Sequence, residues 1–422
     1  METTTANFYD VMAERGLVAQ CTEPPEVIRK RLSSPVTAYC GFDPTADSLH
    51  VGSLVPIMGL AHLQRAGHRP LVVVGGATGM VGDPSGKSEA RNLLDEPMLR
   101  HNAAAIADQI GRFLRFGDDA ADAELLNNYD WIGPLTWLEV LRDVGSKVSV
   151  NRMMSMESVR QRMQLGEDTG AGISYLEFSY MLLQAYDFVH LHREANCTLQ
   201  LGGQDQWGNI VMGIELGRKL GGVNLAGLTF PLVTKADGGK FGKSEAGNVW
   251  LDAGRTPPFD FFQFWRNVAD ADVGRYLGYF TFLPMDEVRE LAPAEGTAIN
   301  EAKVRLAYEV TKLVHGEAEA SKARDAAGRA FSGSADVTGD GVPSRELSAD
   351  DLAAGPAVLD LLLAAGFAKS KGEARRLIQG SGVRVHDVKV TDVAHTVGPD
   401  DAADGYVLLR AGKKRLMRFD VT

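Results

Sequence analysis

Apolar residues in the first eighty positions fall into three blocks, separated by polar stretches that carry glycine. The block "VTAYCGF" at 36–42 predicts a short strand. In "SLVPIMGLAHLQRAG" at 53–67 the apolar residues recur at helical spacing, and Gly67 stands where a helix stops. "RPLVVVGG" at 69–76 is β-branched, continuously apolar and bounded by glycine, the pattern of a buried parallel strand. Strand, helix and strand make a βαβ unit. In such units ligands sit beyond the carboxyl ends of the strands, where residues 40–53 and Gly75–Gly76 lie.

Residues 98–165 read as mostly helical. "GISYLEFSYMLLQAYDFVHL" follows as a helix, with Ser174 and Glu177 spaced as a capping box. "CTLQLGGQDQWGNIVMGIELGRKL" predicts strand, glycine turn and helix, and "LTFPLVTKADGGKFGKSEAG" a strand entering a glycine-rich, lysine-bearing loop. The pattern is helical again from about 255 to 328. Residues 332–355 are rich in Gly, Ser and Asp without apolar periodicity and read as a linker. The expected organisation is a parallel-sheet domain over 1–235, a lysine-bearing loop and helical domain over 236–331, the linker 332–355, and a small α+β module over 356–422.

A chain of 422 residues is longer than one core normally serves, so two or three domains are expected. No signal peptide or apolar run of membrane-spanning length is visible, which predicts a cytoplasmic protein. Three cysteines (Cys21, Cys40, Cys197) are too few and scattered for a disulfide framework or a zinc site. The net charge of −11 argues at first against a nucleic-acid partner, but it is unevenly spread. Residues 356–422 hold eleven Lys/Arg against eight Asp/Glu, whereas the rest of the chain holds 33 against 47. A basic module on an acidic body changes the picture.

Three stretches carry candidate chemistry. "CGFDPTADSLHVGS" at 40–53 places His50 just before Gly52 and a helix start, where backbone N–H groups and the helix dipole favour an anion. Gly52, lacking a Cβ, leaves room for a flat base. "KFGKS" at 240–244 sets Lys240, Lys243 and Ser244 among Gly238, Gly239 and Gly242, a loop suited to a polyphosphate. "GDPSGKS" at 82–88 mimics a phosphate-binding P-loop, but the position five before Gly86 is Val81, so that geometry does not follow. Asp83, Lys87 and Arg91 can instead line a pocket separately, the acid for an amine and the bases for phosphates. Tyr180, Gln184 and Asp187 share one helix face, an unusual phenol, amide and carboxylate in an apolar segment.

Together, "DPTADSLHVGS" and "KFGKS" resemble the two signature motifs of class I aminoacyl-tRNA synthetases. With "VGGATGMVGDPSGKSEAR", "YLEFSYMLLQAYDF" and "LQLGGQDQWGNI", the chain resembles over its whole length the bacterial tyrosyl-tRNA synthetase family. The resemblance implies a Rossmann-type catalytic domain and a C-terminal RNA-binding module. It implies L-tyrosine, ATP and tRNA(Tyr) as partners, magnesium carried with ATP and pyrophosphate, a homodimer, and neither DNA nor a membrane. Carried over by residue, it gives Tyr180, Gln184 and Asp83 to the substrate ammonium, and Tyr39 and Asp187 to its phenol. Gln206 and Asp43 would sit near the reacting carboxylate and ammonium, and Cys40, Gly203 and Asp205 at the ribose, with Gln200 behind them. Thr45 and His50 would meet the polyphosphate, and Lys87, Arg91, Lys240, Lys243 and Ser244 the leaving pyrophosphate. The second histidine of the first motif is here Ser53, which can cap the helix or reach the ribose through water. Lys369, Lys371, Arg375, Arg376, Arg384, Lys413, Lys414 and Arg415 are the expected tRNA-binding bases. Two alternatives share these features: a tryptophanyl relative, disfavoured by Tyr39 and Asp187, and an RNA-binding protein without catalysis, disfavoured by His50, Lys240, Lys243 and Asp205.

Overall fold

The computed structural model describes residues 4, 6–83, 96–169, 172–236, 238–239, 241–244, 247–331, 343–386, 388–402, 404–412 and 415–422. The chain divides into two compact units, one of residues 1–255 and 268–302, the other of residues 256–267 and 303–422.

The first unit is built on six strands: β1 (Gln20–Cys21), β2 (Thr37–Phe42), β3 (Arg69–Val74), β4 (Glu124–Asn127), β5 (Cys197–Gly203) and β6 (Ala226–Phe230), in the order β1-β6-β5-β2-β3-β4. Every neighbouring pair is parallel except β1 with β6. From β2 the chain winds outward to β3 and β4, then returns to lay β5 and β6 on the other side. The winding reverses between β2 and β5, the crevice where open α/β sheets bind their ligands. Strands β3 and β6 are buried along nearly their whole length, as their continuous apolar sequences require.

Helix Leu54–Arg65 follows β2 and ends before Gly67, whose φ of +83° favours glycine. Helix Tyr175–Ala195 begins in the capping box foreseen: the Ser174 hydroxyl accepts from the Glu177 N–H and the Glu177 carboxylate from the Ser174 N–H. Strands β1 and β4 were not foreseen. Both are short edge strands, and β4, "ELLN", lies inside a helical stretch with too few residues to set a period of two.

In the second unit, helices Pro258–Arg266 and Glu317–Phe331 pack together, and a five-stranded sheet follows. A two-stranded ribbon in the first unit supplies β7 (Lys243–Ser244) and β8 (Gly247–Asn248). The sheet then comprises β9 (Ser344–Leu347), β10 (Val383–Val385), β11 (Val388–Val390), β12 (Tyr406–Ala411) and β13 (Arg415–Val421), in the order β11-β10-β12-β13-β9. Residues 344–353, read from composition as linker, are therefore part of this module: β9 pairs in parallel with β13, and helix Ala349–Ala353 follows, capped by Ser348. Polar composition misled because β9 is an exposed edge strand. Residues 332–342 of the expected linker lie outside the described residues.

The helix that starts at the first motif is held tightly against the sheet. A Cβ on Gly59 would stand 2.2 Å from the ring of the fully buried Phe230. Gly59→Ala is expected to lose on the order of 1 kcal/mol or more in urea unfolding. Overpacking typically costs about 1–3 kcal/mol, which outweighs the about 1 kcal/mol by which alanine favours a helix over glycine. A stability gain would show that the ring yields.

Candidate active site at the sheet reversal

Tyr39 and Gln200 are register partners on β2 and β5, both buried beside the reversal. The Tyr39 ring packs edge-on against Phe188, with centroids 5.3 Å apart. Its hydroxyl has no hydrogen-bond partner, and neither has the Gln200 Oε1. Burial, and then the neighbouring charge of Asp187, pushes the Tyr39 phenol well above its ordinary range. A phenol left unpaired in the interior is costly, so this atom marks a place for a ligand's polar group.

Asp187 is equally buried, and burial lifts its carboxyl up to about 7 against the pull of two donors. Asn128 Nδ2 donates to one oxygen at 3.0 Å, and Trp131 Nε1 to the other at 2.8 Å. Asn128 also accepts from the Ala77 N–H at 2.8 Å and donates to Thr78 Oγ1, which donates to Asp43. Asp43, at the end of β2, is thus coupled to Asp187 on a distant helix. Sequence reasoning missed Asn128, Trp131 and Thr78. The adjacent polar run "NNYDW", just after the carboxyl end of β4, was the available signal.

A second network lies across the crevice. Gln206 Nε2 donates to Asp83 at 2.7 Å and to Asp205 at 3.1 Å. Asn209 Nδ2 donates to Gln206 at 3.2 Å and to Gln184 at 2.9 Å. Residues from β5's exit turn, the helix 76–81 exit and the helix Tyr175–Ala195 so converge, with Tyr180 buried on the same helix. Asn209 is a further residue that sequence reasoning missed. A Cβ at Gly203 would meet Asp205 Oδ1 at 2.5 Å, so a larger residue there would displace that carboxylate. Burial, then Asp205, pushes the Cys40 thiol up to about 12, which keeps it neutral.

The two glycine-bearing motifs meet through main-chain bonds. The Val51 N–H donates to the Val249 carbonyl and the Leu251 N–H to the Leu49 carbonyl, while Val249 donates to Gly242. A Cβ on Gly242, whose φ is +80°, would stand 3.0 Å from the Val51 side chain. "HVGS" and "KFGKS", nearly 190 residues apart in sequence, are therefore neighbours. His50 is exposed, and its Nδ1 accepts from the Gly52 N–H at 3.0 Å. That bond puts the neutral ring's proton on Nε2. The space beside Gly52, read above as room for a base, holds the His50 ring: a Cβ there would meet Cε1 at 2.6 Å. Ser53 occupies the helix N-cap position, but its side chain makes no capping bond, so the capping expectation is corrected. Its backbone is already helical (φ −76°, ψ −10°), whereas a capping side chain needs an extended residue. Thr45 is exposed in the same loop, which Asn102 steadies by donating to the Pro44 carbonyl.

Residues 30–332 match the family model "tRNA synthetases class I (W and Y)". The chain belongs to this family. Residues 335–418 match the model "Tyrosine--tRNA ligase SYY-like C-terminal domain". The tyrosine–tRNA ligase of Rhodospirillum rubrum is 48% identical over 98% of both chains, and one from Clostridium botulinum 46% identical over 99% of this chain and all of its own. Among solved structures, a C-terminally truncated Aspergillus nidulans mitochondrial tyrosyl-tRNA synthetase aligns at TM-score 0.69 with 30% identity, over 77% of this chain and 94% of that one. A tryptophanyl-tRNA synthetase from Encephalitozoon cuniculi shares the fold at TM-score 0.52 and 13% identity, covering 78% and 88%.

Not every expected residue of this class I synthetase can be placed. Lys87, Arg91, Lys240, Lys413 and Lys414 lie outside the described residues, as do the side chains of Lys243 and Ser244. In the C-terminal module Lys369, Lys371, Arg375, Arg376 and Arg384 are exposed. Arg384 stands in register between Lys389 on β11 and Arg410 on β12, a basic row across three strands that sequence reasoning had not assembled. Arg415 donates to the Phe367 carbonyl at 2.6 Å, so part of its guanidinium serves the module's own packing. Among the described residues, no group of three or more His, Cys, Asp or Glu could hold a metal ion, and no helix is long and apolar enough to cross a membrane.

The raised Asp187 carboxyl has a consequence for stability. The folded protein keeps this proton up to about pH 7, whereas the unfolded chain, with an ordinary value near 3.8, loses it earlier. Asp187 therefore withdraws stability progressively as pH rises from about 4 to 7, and adds no slope above that. Asp187→Asn, which cannot ionise, is expected to gain stability relative to wild type between pH 5 and pH 8 in urea unfolding. A pH-independent difference would show that Asp187 ionises normally in the fold.

Proposed function

We propose that this chain is a tyrosine–tRNA ligase, which activates L-tyrosine with ATP and then transfers it to the 3′-terminal ribose of tRNA(Tyr). One observation carries the amino-acid choice: the buried, unpartnered Tyr39 hydroxyl beside the buried Asp187 carboxyl. A substrate phenol donating to Asp187 and accepting from Tyr39 satisfies both. Phenylalanine would leave the Tyr39 hydroxyl unpaired and Asp187 with only its Asn128 and Trp131 donors, and a site built around a hydroxyl rejects the analogue lacking it far more strongly than an apolar pocket rejects a methylene.

In the reaction so read, tyrosine's carboxylate oxygen forms a bond to the α-phosphorus of ATP, and the bond from that phosphorus to the bridging oxygen of pyrophosphate breaks. The substrate supplies the nucleophile, so the protein's work is to position and to stabilise charge. Asp83, Tyr180 and Gln184 hold the ammonium, and Asp43 and Gln206 border the reacting groups. Asp205 accepts from the ribose hydroxyls at the gap left by Gly203. His50 Nε2 and Thr45 donate to the polyphosphate, with Lys87, Arg91, Lys240, Lys243 and Ser244 toward the pyrophosphate. Magnesium carried with the nucleotide would supply neutralisation of phosphate charge.

The lysine, arginine and C-terminal assignments extend to tRNA. Residues 236–331 would contact it and the C-terminal module would hold it, the row Lys389–Arg384–Arg410 with Arg375 and Arg376 meeting its phosphates. A homodimer is supported by apolar side chains left in solvent on the short helix Trp137–Glu139 and at the start of helix Tyr175–Ala195: Trp137 is 58% exposed, Leu138 75% and Tyr175 60%, and the Trp137 and Tyr175 rings touch. Such a patch suits a second copy.

The decisive experiment is amino-acid-dependent ATP–pyrophosphate exchange over all twenty amino acids, in which tyrosine alone should support rapid exchange. Rapid exchange with tryptophan instead would favour the tryptophanyl reading. A chain ending at Phe331 should retain tyrosine-dependent exchange and lose aminoacylation of tRNA. Full aminoacylation by that chain would refute the module's role in holding tRNA.

A further inference from the structure

The loop "KFGKS" contains one large apolar side chain, Phe241, between its two lysines. Its ring lies flat on Phe280, with centroids 5.5 Å apart and planes within 8°, and meets Tyr276 edge-on at 5.1 Å. Tyr276 and Phe280 are almost fully buried in helix Val273–Phe280 and contact each other. The same helix and its entry residue grip the segment leading into the loop. Asp272 accepts from the Ala236 N–H at 3.0 Å, while Arg275 at 2.6 Å and Tyr276 Oη at 3.3 Å both donate to the Thr234 carbonyl. The far end of the helix is fixed in turn by Arg15, whose buried guanidinium donates to the carbonyls of Gly278, Thr281 and Leu283.

We propose that Phe241 is a positioning residue for the activation step, its ring pinning to helix Val273–Phe280 the loop whose sequence carries the two lysines. This rests on the functional reading above. The argument is one of conformational freedom. Main-chain bonds close a turn between Lys235 and Gly239, but Gly238 and Gly242 both adopt positive φ and Gly239 adds a third residue without a side chain, so side chains do little to restrain the loop backbone. Donors act on a developing charge only if they are held in place beforehand. Beyond Gly242 the chain is fixed by the Val249 bond, and before Ala236 by Asp272, Arg275 and Tyr276. Phe241 is the described side chain that fastens the stretch between those two points.

Phe241→Ala should lower the rate of tyrosine-dependent ATP–pyrophosphate exchange at saturation by about tenfold to a hundredfold, the scale of a misplacement near 1 Å. The KM for tyrosine should stay within about twofold, since the tyrosine pocket lies on other elements. Trypsin should cut after Lys240 and Lys243 several-fold faster, with the urea midpoint unchanged, and Phe241→Tyr, which keeps the ring, should restore most of both. Wild-type exchange and trypsin rates in Phe241→Ala would overturn the proposal, as would a loss confined to the KM for tyrosine. Absence of tyrosine-dependent exchange in the wild type would instead defeat the functional reading, and the trypsin comparison would still decide whether Phe241 pins the loop.

Discussion

Two polar groups taken out of water at the reversal of the sheet, the Tyr39 hydroxyl and the Asp187 carboxyl, constrain everything built around them. Neither can remain there cheaply, because burial penalises an unpaired hydroxyl and disfavours the charged carboxylate. The fold meets half of the demand internally. Asn128 and Trp131 come from the segment after β4 to donate to Asp187, and Asn128 is held by Ala77 and Thr78. The other half, the Tyr39 hydroxyl, is left open. On the proposed function the pocket is specific by omission: the partner it lacks is one that a substrate phenol would supply.

The topology explains why this pocket and the two glycine-bearing motifs lie at one end of the sheet. The carboxyl ends of β2 and β5 deliver Asp43 on one side and Asp205 with Gln206 on the other. The main-chain pairing of residues 49–51 with 249–251 then brings "KFGKS" against "HVGS". Gly52 and Gly242 permit that approach, one making room for the His50 ring and the other for the Val51 side chain. On the proposed function, amino-acid recognition thus falls to buried side chains on rigid elements. The proposed phosphate side falls to groups on loops, which have separate anchors such as Asn102 on residue 44 and the ring cluster on Phe241.

Much of this was readable before any coordinates, and the exceptions have physical causes. The helix Tyr175–Ala195 announced itself twice, by its capping box and by three polar residues at helical spacing in an apolar segment. The parallel strands β2 and β3 were legible because strands buried on both faces need continuous apolar runs. Edge strands face no such demand, so β1, β4 and β9 left little trace. Asn128, Trp131 and Asn209 were missed for another reason: each serves a carboxylate or amide supplied by a different part of the chain, so a run such as "NNYDW" shows polar groups while only folding reveals the partner. His50 was read correctly as a helix-start residue, but the ring's own claim on the space beside Gly52 could not be seen from spacing.

The central claim is that the site reads a hydroxyl, and the most direct measurement is the ratio of kcat/KM for tyrosine to that for phenylalanine in ATP–pyrophosphate exchange, compared between wild type and Asp187→Ala. Removing one acceptor of a buried hydroxyl costs about 1–3 kcal/mol, or more where the partner is charged. The account predicts that tyrosine loses at least about tenfold in the variant while phenylalanine changes little, so that the ratio collapses by that factor. An equal loss for both substrates, or no loss for tyrosine, would contradict it.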